Sequence, residues 1–121
     1  MKPRMVEPLS IDRSAGEGGA VLTVNGRVTI DSSPILRDRL LAILRHESLP
    51  TLTIDLTAVP YVDSSGVATL VEALKFARAA KTKLRLRLRE GPLYLLQVTG
   101  LLSLFDAPPD PTAITASQDN V

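Results

Sequence analysis

The 121-residue sequence has no cysteine and no tryptophan, one histidine, and only two phenylalanines and two tyrosines. Without cysteine there are no disulfides, no thiol nucleophile and no thiolate metal site. With a single histidine, His46, a serine nucleophile would have to find another base. His46 falls between Arg45 and Glu47 near the end of a predicted helix, where the simple reading is a solvated side chain helped by the helix dipole. So few aromatics leave the core to Leu, Val and Ile. They also leave no stacking platforms of the kind with which a sheet binds single-stranded nucleic acid. Long apolar runs are missing, and the first residues lack the cationic-then-apolar order of a signal peptide. The expectation is a cytoplasmic protein without membrane insertion. A formal net charge of +1 is too small to argue for a polyanionic partner. No Gly-x-Gly-x-x-Gly, P-loop or Gly-x-Ser-x-Gly pattern occurs. Asp55 and Asp63 fall on different predicted elements, so no metal or other cofactor is expected.

What is present is periodicity, in a length that suits one domain. Val6 to Ile11 is a weak strand, demoted to an edge by Pro8. Ser14 to Gly19 reads as a loop by composition and leads, as a hairpin connection, to a strand over Ala20 to Asn25. Asn25-Gly26 marks a turn or the strand's end. Asp31-Ser32-Ser33-Pro34 opens a helix, with Ser32 or Ser33 as cap and Pro34 in the first turn. Leu36, Leu40, Ile43 and Leu44 give that helix an apolar face, and it should stop near Glu47 or Ser48, ahead of Pro50. Thr51 to Thr57 alternates: Leu52, Ile54 and Leu56 face one way, the threonines and Asp55 the other. A second helix runs from Ser64 to about Ala80, with Glu72, Lys75 and Arg78 outward.

Lys83 to Arg89 alternates again, with Leu84, Leu86 and Leu88 inward and a basic stripe of Lys83, Arg85, Arg87 and Arg89 outward. Gly91-Pro92 reads as a break, Leu93 to Val98 as a short third helix ended by Gly100, and Leu101 to Phe105 as a last short strand. From Ala107 onward the prolines and polar residues read as a flexible tail. Strands alternating with helices argue for a partly parallel sheet, while strands that alternate in polarity are covered on one face only. The expected fold is therefore a two-layer α/β domain with a mixed sheet of four to five strands. Helices pack on one face and the other stays open. The basic stripe on that open face is either a solvated guard against edge aggregation or a platform for an acidic partner.

The one concentrated candidate site is Tyr61-Val62-Asp63-Ser64-Ser65-Gly66. Val67, Leu70, Val71 and Leu74 follow at helical spacing, so Asp63, Ser64 and Ser65 sit where a helix leaves backbone N–H groups unpaired. One reading is a plain N-cap. The other is a presented hydroxyl open to phosphorylation, since a helix N-terminus favours added negative charge.

Thr53-Ile54-Asp55-Leu56, followed by Val62-Asp63-Ser64-Ser65-Gly66-Val67, resembles the STAS domain of bacterial anti-sigma-factor antagonists. Leu95 to Phe105 is similar to that family's third helix and closing strand. The resemblance spans residues 5–106, with 107–121 as tail. It implies a non-enzymatic switch in which a serine-kinase-type anti-sigma factor phosphorylates the first serine after the aspartate, Ser64, and a serine phosphatase resets it. The unmodified form would bind the anti-sigma factor through Asp63, Ser64, Ser65 and Gly66 and free a sigma factor for transcription. Gly66 would let the partner's backbone come close. Where many antagonists carry an acidic residue soon after a glycine, this chain reads Gly26-Arg27-Val28-Thr29-Ile30. STAS domains also serve as cytoplasmic subunits of ABC-type lipid-transport complexes, docked on a permease; that alternative stays open, as does a homodimer.

Overall fold

A computed structural model describes residues 9–16 and 18–105. Four strands and three helices follow one another as β1 Leu9–Gly16, β2 Gly19–Gly26, α1 Ser33–His46, β3 Thr51–Ala58, α2 Ser64–Ala79, β4 Lys83–Leu88 and α3 Glu90–Val98. A 3-10 turn, Leu102–Leu104, comes last. The strands lie in sequence order, β1 antiparallel to β2, then β2, β3 and β4 parallel. Each parallel step is bridged by a helix, as such a connection requires.

Parallel register aligns Leu22, Ile54 and Leu86 on one face of the sheet. All three are fully buried, and they join Leu36 and Leu40 of α1, Leu70 and Ala77 of α2 and Leu96 of α3 in one aliphatic core. The helices therefore cover one face only. The opposite face carries Thr51, Thr53, Asp55 and Thr57 between Val21 and Thr23 on one side and Lys83, Arg85 and Arg87 on the other. It is polar but not evenly open: Thr53, flanked by Val21 and Arg85, is 8% exposed. Arg87 reaches Asp55 at 3.5 Å across that face.

Several local expectations are corrected. β1 does not end before Ser14; antiparallel backbone pairing carries it to Gly16, opposite Gly19 of β2. Backbone bonding needs no apolar side chain, and a polar sequence at a sheet edge can therefore still be strand. Val6, Glu7 and Pro8 lie outside the described residues, as does the tail 107–121. Gly91-Pro92 does not break the chain but sits in the first turn of α3, where a missing N–H is harmless. Leu101 to Phe105 forms no strand: the Schellman ending of α3, with Gly100 at φ 76° and Leu101 N–H donating to Leu96 O, turns the chain into the 3-10 turn. Among the described residues the sheet has four strands. No helix among them is long and apolar enough to cross a membrane, and no group of three or more His, Asp or Glu is placed to hold a metal ion.

Candidate functional site

At the end of the parallel strands, two loops are sewn together. Val28 N–H donates to Tyr61 O at 2.9 Å and Asp63 N–H to Val28 O at 3.0 Å, an isolated parallel bridge that extends the β2–β3 pairing beyond the sheet. The loop after β2 is tightened from within by Ser32. Its hydroxyl donates to Arg27 O at 2.7 Å and accepts from Thr29 N–H at 3.0 Å. Ser32 occupies the N-cap position of α1 without a side-chain cap bond, so the expected capping hydroxyl binds the loop instead.

Asp63 is the N-cap of α2. Its Oδ1 accepts from Ser65 N–H at 2.9 Å, Gly66 N–H at 3.1 Å and the Ser65 hydroxyl at 2.6 Å. Its Oδ2 accepts from Ile30 N–H at 3.0 Å, 33 residues away. One carboxylate thus caps the helix and ties the neighbouring loop to it. The Ser65 hydroxyl holds the carboxyl below its ordinary value, with further help from the Gly66, Ile30 and Ser65 N–H groups, against partial desolvation pushing it up.

The two serines part company here. Ser65 is half-buried and its hydroxyl is committed to Asp63, whereas Ser64, first residue of α2, is exposed. Ser64 stands on a ridge between two open grooves. One, of about 480 Å3, is lined by Pro60, Tyr61, Pro92 and Leu95; the other, of about 690 Å3, by Val67, Val71, Phe76 and Leu101. Gly66 points the other way. It is buried, and a Cβ there would lie 2.6 Å from both Val28 Cγ1 and Val62 Cγ1. The close approach that Gly66 permits is within the molecule, between α2 and the two-loop bridge, and not to a partner's backbone.

Composition gave no pointer to three apolar side chains that surround this site. Ile30 is 71% exposed, Tyr61 44% and Ile35 42%. Ile30 donates its N–H to Asp63, Tyr61 lines the groove beside Ser64, and Ile35 lies in the first turn of α1; for Ile30 and Tyr61 the only signal was an apolar residue placed in a loop. Exposed clusters of this kind mark interaction surfaces more often than isolated ones do.

Comparison with known proteins agrees with this geometry. The family model described as "Mlab, STAS domain" matches residues 11–105. The anti-sigma-B factor antagonist of Bacillus subtilis (strain 168) is 28% identical over 99 residues, which cover 81% of this chain and 89% of that protein. An anti-sigma factor antagonist from Mycobacterium paratuberculosis, known from its crystal structure, superposes with a TM-score of 0.73 at 26% identity, covering 86% of each chain. The Bacillus cell fate determinant SpoIIAA, solved in its phosphorylated form, shares the fold with a TM-score of 0.65 at 14% identity, over 84% of this chain and 91% of SpoIIAA. Order of elements, the capped Asp63 junction and the matched span lead to one conclusion: this chain belongs to the STAS domain family.

Proposed function

We propose that the chain is an anti-sigma-factor antagonist whose contact face is the Asp63–Ser64 ridge and whose switch is phosphorylation of Ser64. The observation that carries this reading is the division of labour between the serines: Ser65 is spent on the cap and Ser64 is presented. Similarity to the two antagonists above, and a shared fold with a protein solved in a phosphorylated form, support it.

The chemistry is that of a binding switch and requires no cofactor. Unmodified, the exposed apolar rim of Ile30, Ile35 and Tyr61 offers contact area to an anti-sigma factor, which releases its sigma factor. A kinase-type anti-sigma factor transfers a phosphoryl group from ATP to the Ser64 hydroxyl, adding a charge of about −1.5 to −2. Within this molecule the α2 N-terminus tolerates that charge. At a docked interface, beside Asp63, it is desolvated and repelled, and binding fails. A serine phosphatase then restores the hydroxyl. The domain acting this way is 5–106, in the cytoplasm, and it performs no catalysis itself.

Incubation with the kinase-type anti-sigma factors of its source and ATP, followed by phosphopeptide mapping, tests the reading. One phosphate at Ser64 and none at Ser65 is expected. No phosphate, together with retention on a membrane permease, would replace this reading with docking as a subunit of an ABC-type lipid transporter.

A further inference from the structure

Arg27 is a cation at the rim of the Ser64 face, on the side of Tyr61. Its guanidinium carbon lies 4.7 Å from the centroid of the Tyr61 ring, and the side chain is exposed. The backbone beneath it is held on both sides. Arg27 O accepts the Ser32 hydroxyl, and Val28 is bonded through its N–H and its O to the loop before α2. The guanidinium is therefore presented on a flat ring from a tied-down loop, which limits the ordering cost of a contact made there.

Three other arginines of the described residues have carboxylates. Arg13 pairs with Glu47, Arg37 with Glu72 and Arg87 with Asp55. Arg45 stacks on Phe76, and its charge is felt by Glu72. Arg27 has only the neutral ring, with no ion pair among the described residues. The two carboxylates on its side of the fold do not serve it. Asp63 has both oxygens engaged by Ser65, Gly66 and Ile30. Asp31, exposed on the same loop, makes no ion pair among the described residues either.

A partner that covers Ile30 and Tyr61 also takes water from the guanidinium lying on that ring. Desolvating an unpaired cation is unfavourable, so an apolar or basic surface opposite Arg27 is rejected. A carboxylate satisfies it, because the guanidinium fork matches two carboxylate oxygens and can stay stacked on the ring meanwhile. The geometry points to a partner surface with an aspartate or glutamate opposite Arg27, beside an apolar patch that receives Ile30 and Tyr61. This rests on the reading that an anti-sigma factor docks on the Ser64 face. Arg27 then decides which anti-sigma factors are accepted, while Ser64 decides when.

The experiment titrates the anti-sigma factor with the unmodified chain, Arg27→Glu, Arg27→Lys and Ser64→Asp, at low and at high salt. Arg27→Glu is expected to weaken binding by roughly tenfold to a hundredfold, Arg27→Lys by less, with wild-type affinity falling as salt rises. Reversing one partner carboxylate to arginine should restore binding to Arg27→Glu. Unchanged melting temperatures would show that these surface variants are folded. If Arg27→Glu binds as well as wild type while Ser64→Asp is weakened, this inference is overturned and the Ser64 switch stands. A loss with Arg27→Glu that no partner carboxylate reversal restores also overturns it. If neither variant differs from wild type, the docking reading itself falls, and this inference with it.

Discussion

Replacing Gly66 with alanine sets two calculable effects against each other. Gly66 is the third residue of α2, and at an open helical position alanine would gain about 1 kcal/mol over glycine. Here the added Cβ would lie 2.6 Å from Val28 Cγ1 and from Val62 Cγ1, where carbon atoms ordinarily rest about 3.5 Å apart or more. Neither valine can yield easily. Val28 is 1% exposed and Val62 6%, and both are β-branched with stiff χ1. Overpacking of this kind costs about 1–3 kcal/mol, so the balance is a loss of about 0–2 kcal/mol. Relief by moving α2 away from the bridge would stretch the Asp63 bonds to Ile30 on one side and Ser65 on the other, displacing Ser64. Urea unfolding would give the stability. A double-mutant cycle with Val28→Ala would show whether the clash is its cause, since space made at Val28 should recover part of the loss by about 0.5 kcal/mol or more. Stabilisation of Gly66→Ala by the full helical increment, with no coupling to Val28, would refute the close approach.

Other consequences follow from the same geometry. Lys81, at φ 60°, ends α2 in the left-handed region, so Lys81→Gly should raise stability by about 1 kcal/mol in urea unfolding; a loss would mean the ending is held differently. Because the Asp63 carboxyl is held below its ordinary value of 3.8 in the folded state, its contribution is complete above the unfolded value and disappears as pH falls through the lower folded value. Asp63→Asn should therefore lose stability relative to wild type near neutrality, and the gap should narrow below about pH 4. A gap independent of pH would argue that the charge is irrelevant to the cap. Ser65→Ala, which removes the largest cause of that lowering, should move the Asp63 titration upward in NMR, and an unmoved titration would contradict the 2.6 Å bond.

Much of this architecture was legible because it rests on periodicities. The alternation of Leu52, Ile54 and Leu56 and of Leu84, Leu86 and Leu88 placed both strands correctly, and the i, i+3, i+4 pattern placed α1 and α2 to within a residue or so. Asp63 as a cap was legible too, since an acceptor before a helical run has few other uses. Pairing between distant segments was not. The extension of β1 to Gly16 depends on backbone bonds to β2, and the Asp63–Ile30 bond joins residues 33 apart. Ser32 carries every local mark of a cap, yet tertiary closure of its own loop takes the hydroxyl. Gly66 announced a close approach, expected toward a partner's backbone, whereas its near neighbours are Val28 and Val62 of the same chain. Leu101 to Phe105 had strand composition, but the αL turn at Gly100 decides its path.

The proposed switch turns on one exposed hydroxyl, and its most direct measurement is the affinity of the anti-sigma factor for the chain with and without a phosphate on Ser64. Calorimetry should show phosphorylated protein binding tens to hundreds of times more weakly than the unmodified form, a difference of about 2–3 kcal/mol. Equal affinity of the two forms would contradict the switch.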